Sequence, residues 1–353
     1  MGATNLKPAK SLNLKVVEQS LTPSYKQIIN QIEERIGNGS LQCGDMLPSI
    51  SELADSIGIS KETVKKAYFH LRNNGVVNST RGIGYFIAAP EVHKKKRILL
   101  LIDKLSILKQ TLIDAFAETI GDKAEINIHL HNQQVDLLDY YISKYIGYYD
   151  WFVITPHFPL DQMTQRQILT ILRRIPNRKL IIMDRKLENL KGNFGCIWQD
   201  YEEDAYRGLT PIAEELKKAG TLNVIISQSS LYHKYTCSSV IDFCKDNGIE
   251  YRAYTKVTPD IVRKGEVYLL LNGQIDMELT LLVRTAREKG LKPGKDFRII
   301  AYNDSPVNEI ILDGLTTISA DFEQMGRQAA EMILNNEQKR IKCNFKLTRR
   351  GTF

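Results

Sequence analysis

In the first quarter of the chain, apolar positions recur at helical spacing. Tyr25, Ile28, Ile29, Ile32 and Ile36 follow Pro23-Ser24 in steps of three and four, and Gly37-Asn38-Gly39 ends the run. Ser49 with Glu52 three residues on is a capping-box pattern, which predicts a short helix to about Ile57. Gly58-Ile59 makes a turn. Ser60 then opens a third helix carrying Thr63, Val64, Ala67, Tyr68 and Leu71, and Asn73-Asn74-Gly75 closes it. Two β-like runs, 76–78 and 85–87, flank Arg81-Gly82-Ile83-Gly84 and predict a hairpin. Helix, helix, turn, helix, hairpin is the order of a winged helix-turn-helix.

Beyond residue 98 the pattern changes. Apolar runs at 98–102, 126–130, 151–154, 180–183, 222–226, 267–271 and 297–301 read as buried strands. Amphipathic stretches such as 105–120, 204–219, 235–247 and 277–289 lie between them. This alternation predicts an α/β body of parallel sheets with helices on both faces, and its length suits two Rossmann-like lobes. The expected organisation is a flexible arm over 1–22, the winged helix-turn-helix over 23–88, a linker over 89–97 and a two-lobed body over 98–353.

Charge sharpens the division. The net charge is +7, and residues 1–97 hold 14 Lys and Arg against 8 Asp and Glu. Nearly all the excess is therefore in the head, as expected of a module that binds a polyanion. The five cysteines are scattered, with no C-x-x-C pair and no Cys/His set at zinc spacing, so free thiols and no metal site are expected. Residues 1–15 have no apolar core of a signal peptide, and no run reaches the roughly 18 apolar residues of a membrane span. The expectation is a cytoplasmic protein without membrane contact.

The head carries specific signatures: Leu47-Pro48-Ser49-Ile50-Ser51-Glu52-Leu53-Ala54, then Gly58 through Tyr68, then Gly75-Val76-Val77 and the wing Arg81-Gly82-Ile83-Gly84-Tyr85-Phe86. In order and spacing these resemble the GntR family of bacterial regulators over residues 24–87. A recognition helix places its N-terminal residues in the major groove of double-stranded DNA. Ser60, Lys61, Thr63 and Lys65 lie in its first two turns, with donors suited to phosphates and guanine edges. The resemblance implies DNA contacts from Ser51, Lys61, Thr63, Lys65, Arg81 and Gly82; Ser49, Ser60 and Lys66 complete the candidate set. Ser49 and Ser60 are equally readable as helix caps, and Lys66 as a solvated position. The family often has Arg where this chain has Ser51, which weakens a base contact there.

The body resembles the LacI and periplasmic sugar-binding superfamily. The residues that carry this are Phe297 through Asp304, Leu315-Thr316-Thr317-Ile318, Phe322, Met325-Gly326-Arg327 and Ala329, with Leu180 through Arg185, Asp200-Tyr201 and Gly208 in the middle. The pairing of such a head and body is the architecture of the arabinose repressors of bacilli. The resemblance implies two lobes joined by three crossovers and closing on a small carbohydrate, in a homodimer that represses at a two-fold symmetric operator. Ligands of α/β lobes sit at the carboxyl ends of strands. The candidates there are Asp103, Lys104, His157, Asp184, Arg185, Gln228, Asn272 and Asp304, with Asp304 matching the family's sugar-binding aspartate. The family's clamping Arg early in the second lobe is replaced by Ser239, with Tyr232 and Tyr235 among the possible substitutes. Three alternatives stay open: Asp184 and Arg185 as an ion pair, His157 as a structural histidine, and Asp304 as the cap of Ser305-Pro306.

The chain has no P-loop, G-x-S-x-G or H-E-x-x-H, so no catalytic residue and no cofactor are expected. The expected function is a transcription regulator whose operator binding responds to a monosaccharide. A purine or other metabolite as effector, or an enzyme with an appended head, are the alternative readings.

Overall fold

The computed structural model describes residues 12–17, 20, 22–73, 75–80, 82–88, 95–226, 231–271 and 277–353. They fall into two compact units. One is built on the chain up to Lys95 with Ser143–Gly147, the other on Lys96–Ile142 and Tyr148–Phe353. Arg81, Gln228 and Asn272 lie outside the described residues.

The head consists of α1 (Ser24–Gly37), α2 (Ile50–Ile57), α3 (Lys61–Asn73) and the hairpin β1 (Val77–Thr80) and β2 (Gly84–Ile87). The capping box forms as its sequence requires: Glu52 N–H donates to Ser49 Oγ, and Ser49 N–H to the Glu52 carboxylate. Gly58, at φ +71°, makes the left-handed turn between α2 and α3. Ile28, Ile32, Leu53, Val64, Ala67, Tyr68 and Leu71 form the core under the hairpin. Met46 forms an isolated antiparallel bridge with Phe86, which ties the segment before α2 to the two-stranded wing.

The expected loose arm over 1–22 is corrected at 12–17. Leu12 and Leu14 are buried in the head core. The backbone of Lys15 exchanges two hydrogen bonds with the Gln31 side chain, and Val17 does the same with Gln27. Arg35 donates to the carbonyl of Asn13. These side chains sit one helical turn apart on α1 and pair an extended backbone much as a neighbouring strand would.

In the body, β3 (Lys96–Ile102) starts before the expected residue 98. α4 (Ile107–Ile120), β4 (Ala124–Leu130), α5 (Val135–Tyr145), β5 (Trp151–Ile154), α6 (Gln162–Leu172), β6 (Leu180–Asp184) and β7 (Gly195–Trp198) follow. The chain then runs through α7 (Asp204–Leu209), α8 (Ala213–Ala219), β8 (Thr221–Ile225), α9 (His233–Asn247), β9 (Glu250–Tyr254), β10 (Val267–Leu270) and α10 (Met277–Glu288). It ends with β11 (Arg298–Tyr302), β12 (Thr316–Ala320), α11 (Phe322–Asn335), β13 (Arg340–Lys342) and β14 (Phe345–Thr348). The single helix expected over 204–219 is broken, because Pro211 has no N–H to donate and a 3-10 turn takes its place.

The strands form two six-stranded sheets, β13-β7-β6-β5-β3-β4 and β14-β12-β11-β10-β8-β9. All pairs are parallel except β12 with β14. Central strands are buried on both faces, which is why they read as continuous apolar runs. In each lobe the second strand lies outside the first and the third pairs on the first's other side, so the chain reverses direction across the sheet between β3 and β5, and again between β8 and β10.

The chain crosses between lobes three times: from β7 to α7, from β12 to α11 and from β13 to β14. α11 returns to the first lobe and packs against α4. Gly326 allows the approach, since a Cβ there would lie 2.1 Å from the carbonyl oxygen of Leu112.

Candidate DNA-reading surface and interlobe site

In the head, Ser51, Ser60, Lys61 and Lys65 are exposed, and Thr63 is half-buried. Ser60 caps α3: its Oγ receives Thr63 N–H at 3.3 Å and lies 2.8 Å from Thr63 Oγ1. Lys65 approaches Glu62 at 3.7 Å in a solvent-exposed pair that holds neither side chain firmly. Lys66 leans over the Tyr25 ring, 4.3 Å from its centroid. Gly82 is exposed at φ +82°, a conformation that keeps the wing tip free of a side chain. Tyr68 OH donates to Pro48 O and its ring packs on Tyr85, tying the recognition helix to the wing.

In the body, the ends of β3, β5, β6 and β7 bring together a buried polar cluster. Lys109, in the first turn of α4 behind its Ser106 cap, donates to Asp184 and lies 3.2 Å from Asp103. Asp184 also receives Gln199 Nε2 at 2.5 Å and lies 2.7 Å from His157 Nε2. The other His157 nitrogen is 2.7 Å from the Tyr232 hydroxyl, joining the two lobes. Tyr232 stacks on Tyr201 of the first crossover with centroids 4.1 Å apart.

Burial alone would raise the Asp184 pKa, but the charges of Lys109 and His157 outweigh it and hold the carboxyl well below the usual carboxylate range. Burial likewise opposes the charge on Lys109, and Asp184 and Asp103 reverse that and raise its pKa. The ammonium and the Asp184 carboxylate thus stay ionised through each other. At the switch point, Thr155 Oγ1 donates to Asp103 and accepts its N–H.

Behind this cluster His131 is fully buried and stacked on Phe158. Its Nδ1 accepts Gln133 N–H, so its proton is on Nε2, donated to Thr155 O. Burial depresses its pKa from 6.5 to about 4. The unfolded chain binds a proton below about pH 6.5 that the fold refuses until about pH 4, so stability falls as pH drops through that window, by up to about 3 kcal/mol. Asp204, raised by burial to about 6, opposes this between about pH 6 and 4. The contribution of His131 is therefore read by difference: urea titrations from pH 7 to 5 should show a flatter decline for His131→Gln than for the parent chain. Equal slopes would refute the assignment.

The structure collects Asp103, His157, Asp184 and Tyr232 in one cluster. Beside it, one candidate lies apart and one open alternative is decided. Lys104 is exposed, and the buried cation at Asp103 is Lys109. Arg185 does not pair with Asp184; it donates to Pro156 O and Gln165 Oε1 and reaches over Tyr232. Tyr235 is 41% exposed, at the rim of a pocket of about 280 Å³ that Arg185, Trp198 and Tyr232 also line. Both Asp304 oxygens are taken by the Arg350 guanidinium at 2.9 and 3.0 Å, and Oδ1 also receives Ser305 N–H and Asn308 Nδ2. Ser239 accepts Tyr206 N–H and so serves the start of α7.

Lys109, Gln199 and Tyr201 were absent from the sequence candidates. The signal for Lys109 was its place in the first turn behind a Ser cap, where a side chain points back toward the strand end. Among the described residues no group of His, Cys, Asp and Glu could hold a metal, and no helix is long and apolar enough to cross a membrane.

Residues 24–87 match the model of bacterial regulatory proteins of the gntR family, and residues 271–352 match that of a periplasmic binding protein-like domain. The HTH-type transcriptional repressor YtrA of Bacillus subtilis is 36% identical over 106 residues, which are 29% of this chain and 78% of YtrA. The chain belongs to the gntR family of bacterial regulatory proteins. Other curated repressors are matched over only about a third of their own length.

Two solved structures show the fold of this gntR-family regulator's body. A periplasmic binding protein/LacI transcriptional regulator from Alkaliphilus metalliredigens, complexed with D-xylulofuranose, matches with TM-score 0.52 at 14% identity, over 73% of this chain and 98% of that one. The Lac repressor dimer bound to operator and an anti-inducer matches with TM-score 0.54 at 16% identity, over 72% and 93%. The protein is thus a transcription regulator with a gntR-type DNA-binding head and a periplasmic binding protein-like body.

Proposed function

We propose that the protein is a cytoplasmic repressor, a homodimer on a two-fold symmetric double-stranded operator, released by a monosaccharide held between the lobes of the body. The observation that carries the reading is the direct joining of the lobes through the strand-end cluster: His157 of the first lobe meets Tyr232 of the second over Asp184. A ligand that competes for these groups changes the balance between open and closed lobes, and only a ligand that prefers one state can shift it. Carboxylates, an imidazole and tyrosine rings suit hydroxyls and a sugar face. The D-xylulofuranose and operator in the neighbours' structures support both halves of the reading.

In this reading Ser51, Lys61, Thr63, Lys65 and Gly82 face DNA, with Arg81 in the wing. Asp103, His157, Asp184, Arg185, Tyr232 and Tyr235 face the effector, joined by Lys109 and Gln199. Asp304 reaches the effector only by giving up Arg350. The test is a mobility-shift titration of the full chain on DNA from its own upstream region, repeated with a panel of monosaccharides. Release by one sugar is expected; binding that no sugar alters, with a purine effective instead, would overturn the sugar assignment.

The DNA half has its own prediction. Lys65→Ala should weaken operator binding and flatten the slope of log K against log salt by about one, the signature of one lost phosphate contact. An unchanged slope would remove Lys65 from the interface.

A further inference from the structure

We infer that the effector carries a negative charge, a phosphate monoester or carboxylate, seated between Arg185 and Lys186 in the pocket at the edge of the interlobe cleft. This rests on the reading of the cleft as the effector site and narrows the class of ligand.

The pocket encloses about 280 Å³. One wall is the end of β6, with Arg185 and Lys186; the opposite wall is aromatic, with Tyr232 and Tyr235. Arg185 is the unusual group. It is half-buried, yet its partners are a carbonyl, an amide and Tyr232, all uncharged, and among the described residues no carboxylate lies within 4 Å of it. A partly desolvated guanidinium without a counter-ion is costly unless an anion completes it, and its planar fork matches a carboxylate or phosphate.

The nearby acids do not fill that role. Asp184 is enclosed by Lys109, His157 and Gln199. Asp200 and Glu203 are both held by Lys342 at 2.7 Å. Glu202 is exposed, and Glu188 pairs with Lys186 at 3.1 Å from a side chain that is itself 75% exposed. Such a rim pair is weak and readily exchanged for a ligand. Glu188, Asp200 and Glu202 also line the pocket and can accept from the hydroxyls of a ligand, while the Tyr235 hydroxyl can donate. A phosphorylated or acidic monosaccharide fits with its anion on Arg185 and Lys186 and its hydroxyls toward those carboxylates.

The experiment compares matched probes on the full-length protein by calorimetry and thermal shift: glucose 6-phosphate and gluconate against glucose, ribose 5-phosphate against ribose, and inorganic phosphate alone. The expected result is binding by an anionic member at least about tenfold tighter than by its neutral partner, lost to a similar degree in Arg185→Gln. The phosphate and aldonate arms separate the two anion types. Lys186→Gln, at a half-buried position on the rim, gives the same reading with a smaller loss should Arg185→Gln fail to fold. If a neutral sugar binds as well as its anionic partner, and Arg185→Gln or Lys186→Gln leaves that binding intact, the charge assignment is overturned while the cleft remains the effector site. If no probe binds and a non-sugar metabolite without charge does, both are overturned.

Discussion

Asp184→Asn should cost the body about 3–5 kcal/mol, the penalty for breaking a buried ion pair from one side. The substitution is chosen to change charge and little else. Asp184 sits at φ +71°, a left-handed conformation that Asn tolerates as well as Asp. The amide keeps the shape of the carboxyl, so packing at the end of β6 is preserved. What changes is the company of Lys109: its ammonium, 7% exposed, keeps only Asp103, while His157 and Gln199 face an amide that supplies one acceptor instead of two. Urea unfolding at pH 7 measures the loss. The pH dependence is a second check. A carboxyl depressed in the fold adds stability above the unfolded pKa near 4, and that stability drains away as pH falls below it toward the folded value. The deficit should therefore be constant from about pH 5 to 8 and shrink below about 4. Adding Lys109→Met should recover part of the loss, because it removes the stranded charge. A deficit under about 1 kcal/mol at pH 7 would mean the cluster is solvated rather than buried.

Gly326→Ala is expected to destabilise the body by about 3 kcal/mol or more, toward the upper end for overpacked sites. The added Cβ meets backbone, at 2.1 Å from Leu112 O and 3.0 Å from Phe116 N, so no rotamer change relieves it and α4 and α11 must separate. Intrinsic helix propensity alone favours Ala over Gly by up to about 1 kcal/mol, which makes the sign of the outcome diagnostic. The head has its own core and should keep its unfolding transition, so a calorimetric scan should show one transition lowered and one unmoved. Stabilisation, or a uniform shift of both, would contradict the close crossing.

Much of the fold was legible, for reasons that differ by element. The head's helices end where Pro23, Ser49, Gly58 and Asn73 dictate, since caps and left-handed turns are local chemistry. The central strands β3, β5, β6, β8, β10 and β11, and the edge strand β4, announced themselves as apolar runs; the buried β7 and β12 did not, since Gly195 and Cys196 open the one and Thr316, Thr317 and Ser319 interrupt the other. The edge strands β9, β13 and β14 did not: Glu250–Tyr254 mixes charged and aromatic positions with one side open, and Arg340–Lys342 is only three residues long. The segment at 12–17 was missed because its partners are glutamine side chains, which leave no periodic trace.

The interlobe site divides the same way. Strand ends marked Asp103, His157 and Asp184 as neighbours, because parallel sheets collect their ligands there. Which cation would join them was invisible. Lys104 and Lys109 differ only in whether a helical turn points the side chain back into the cleft. Asp304 lies just past the end of β11, but Arg350, 46 residues later and just past the end of β14, decides what its carboxylate holds.

The three crossovers set the order in which the molecule can be completed as it is made. Neither lobe is a continuous piece of chain: the first sheet receives β13, and the second β14, from a stretch made after every other strand of the body. The head's helices and hairpin all lie between Ser24 and Ile87 and are made before the body, so they can fold while both halves of the body still have an open edge. A product that stops after α11 would keep a whole head but leave both sheets unsealed. Selection against early termination should therefore act on residues 340–348 as strongly as on the strands made before them.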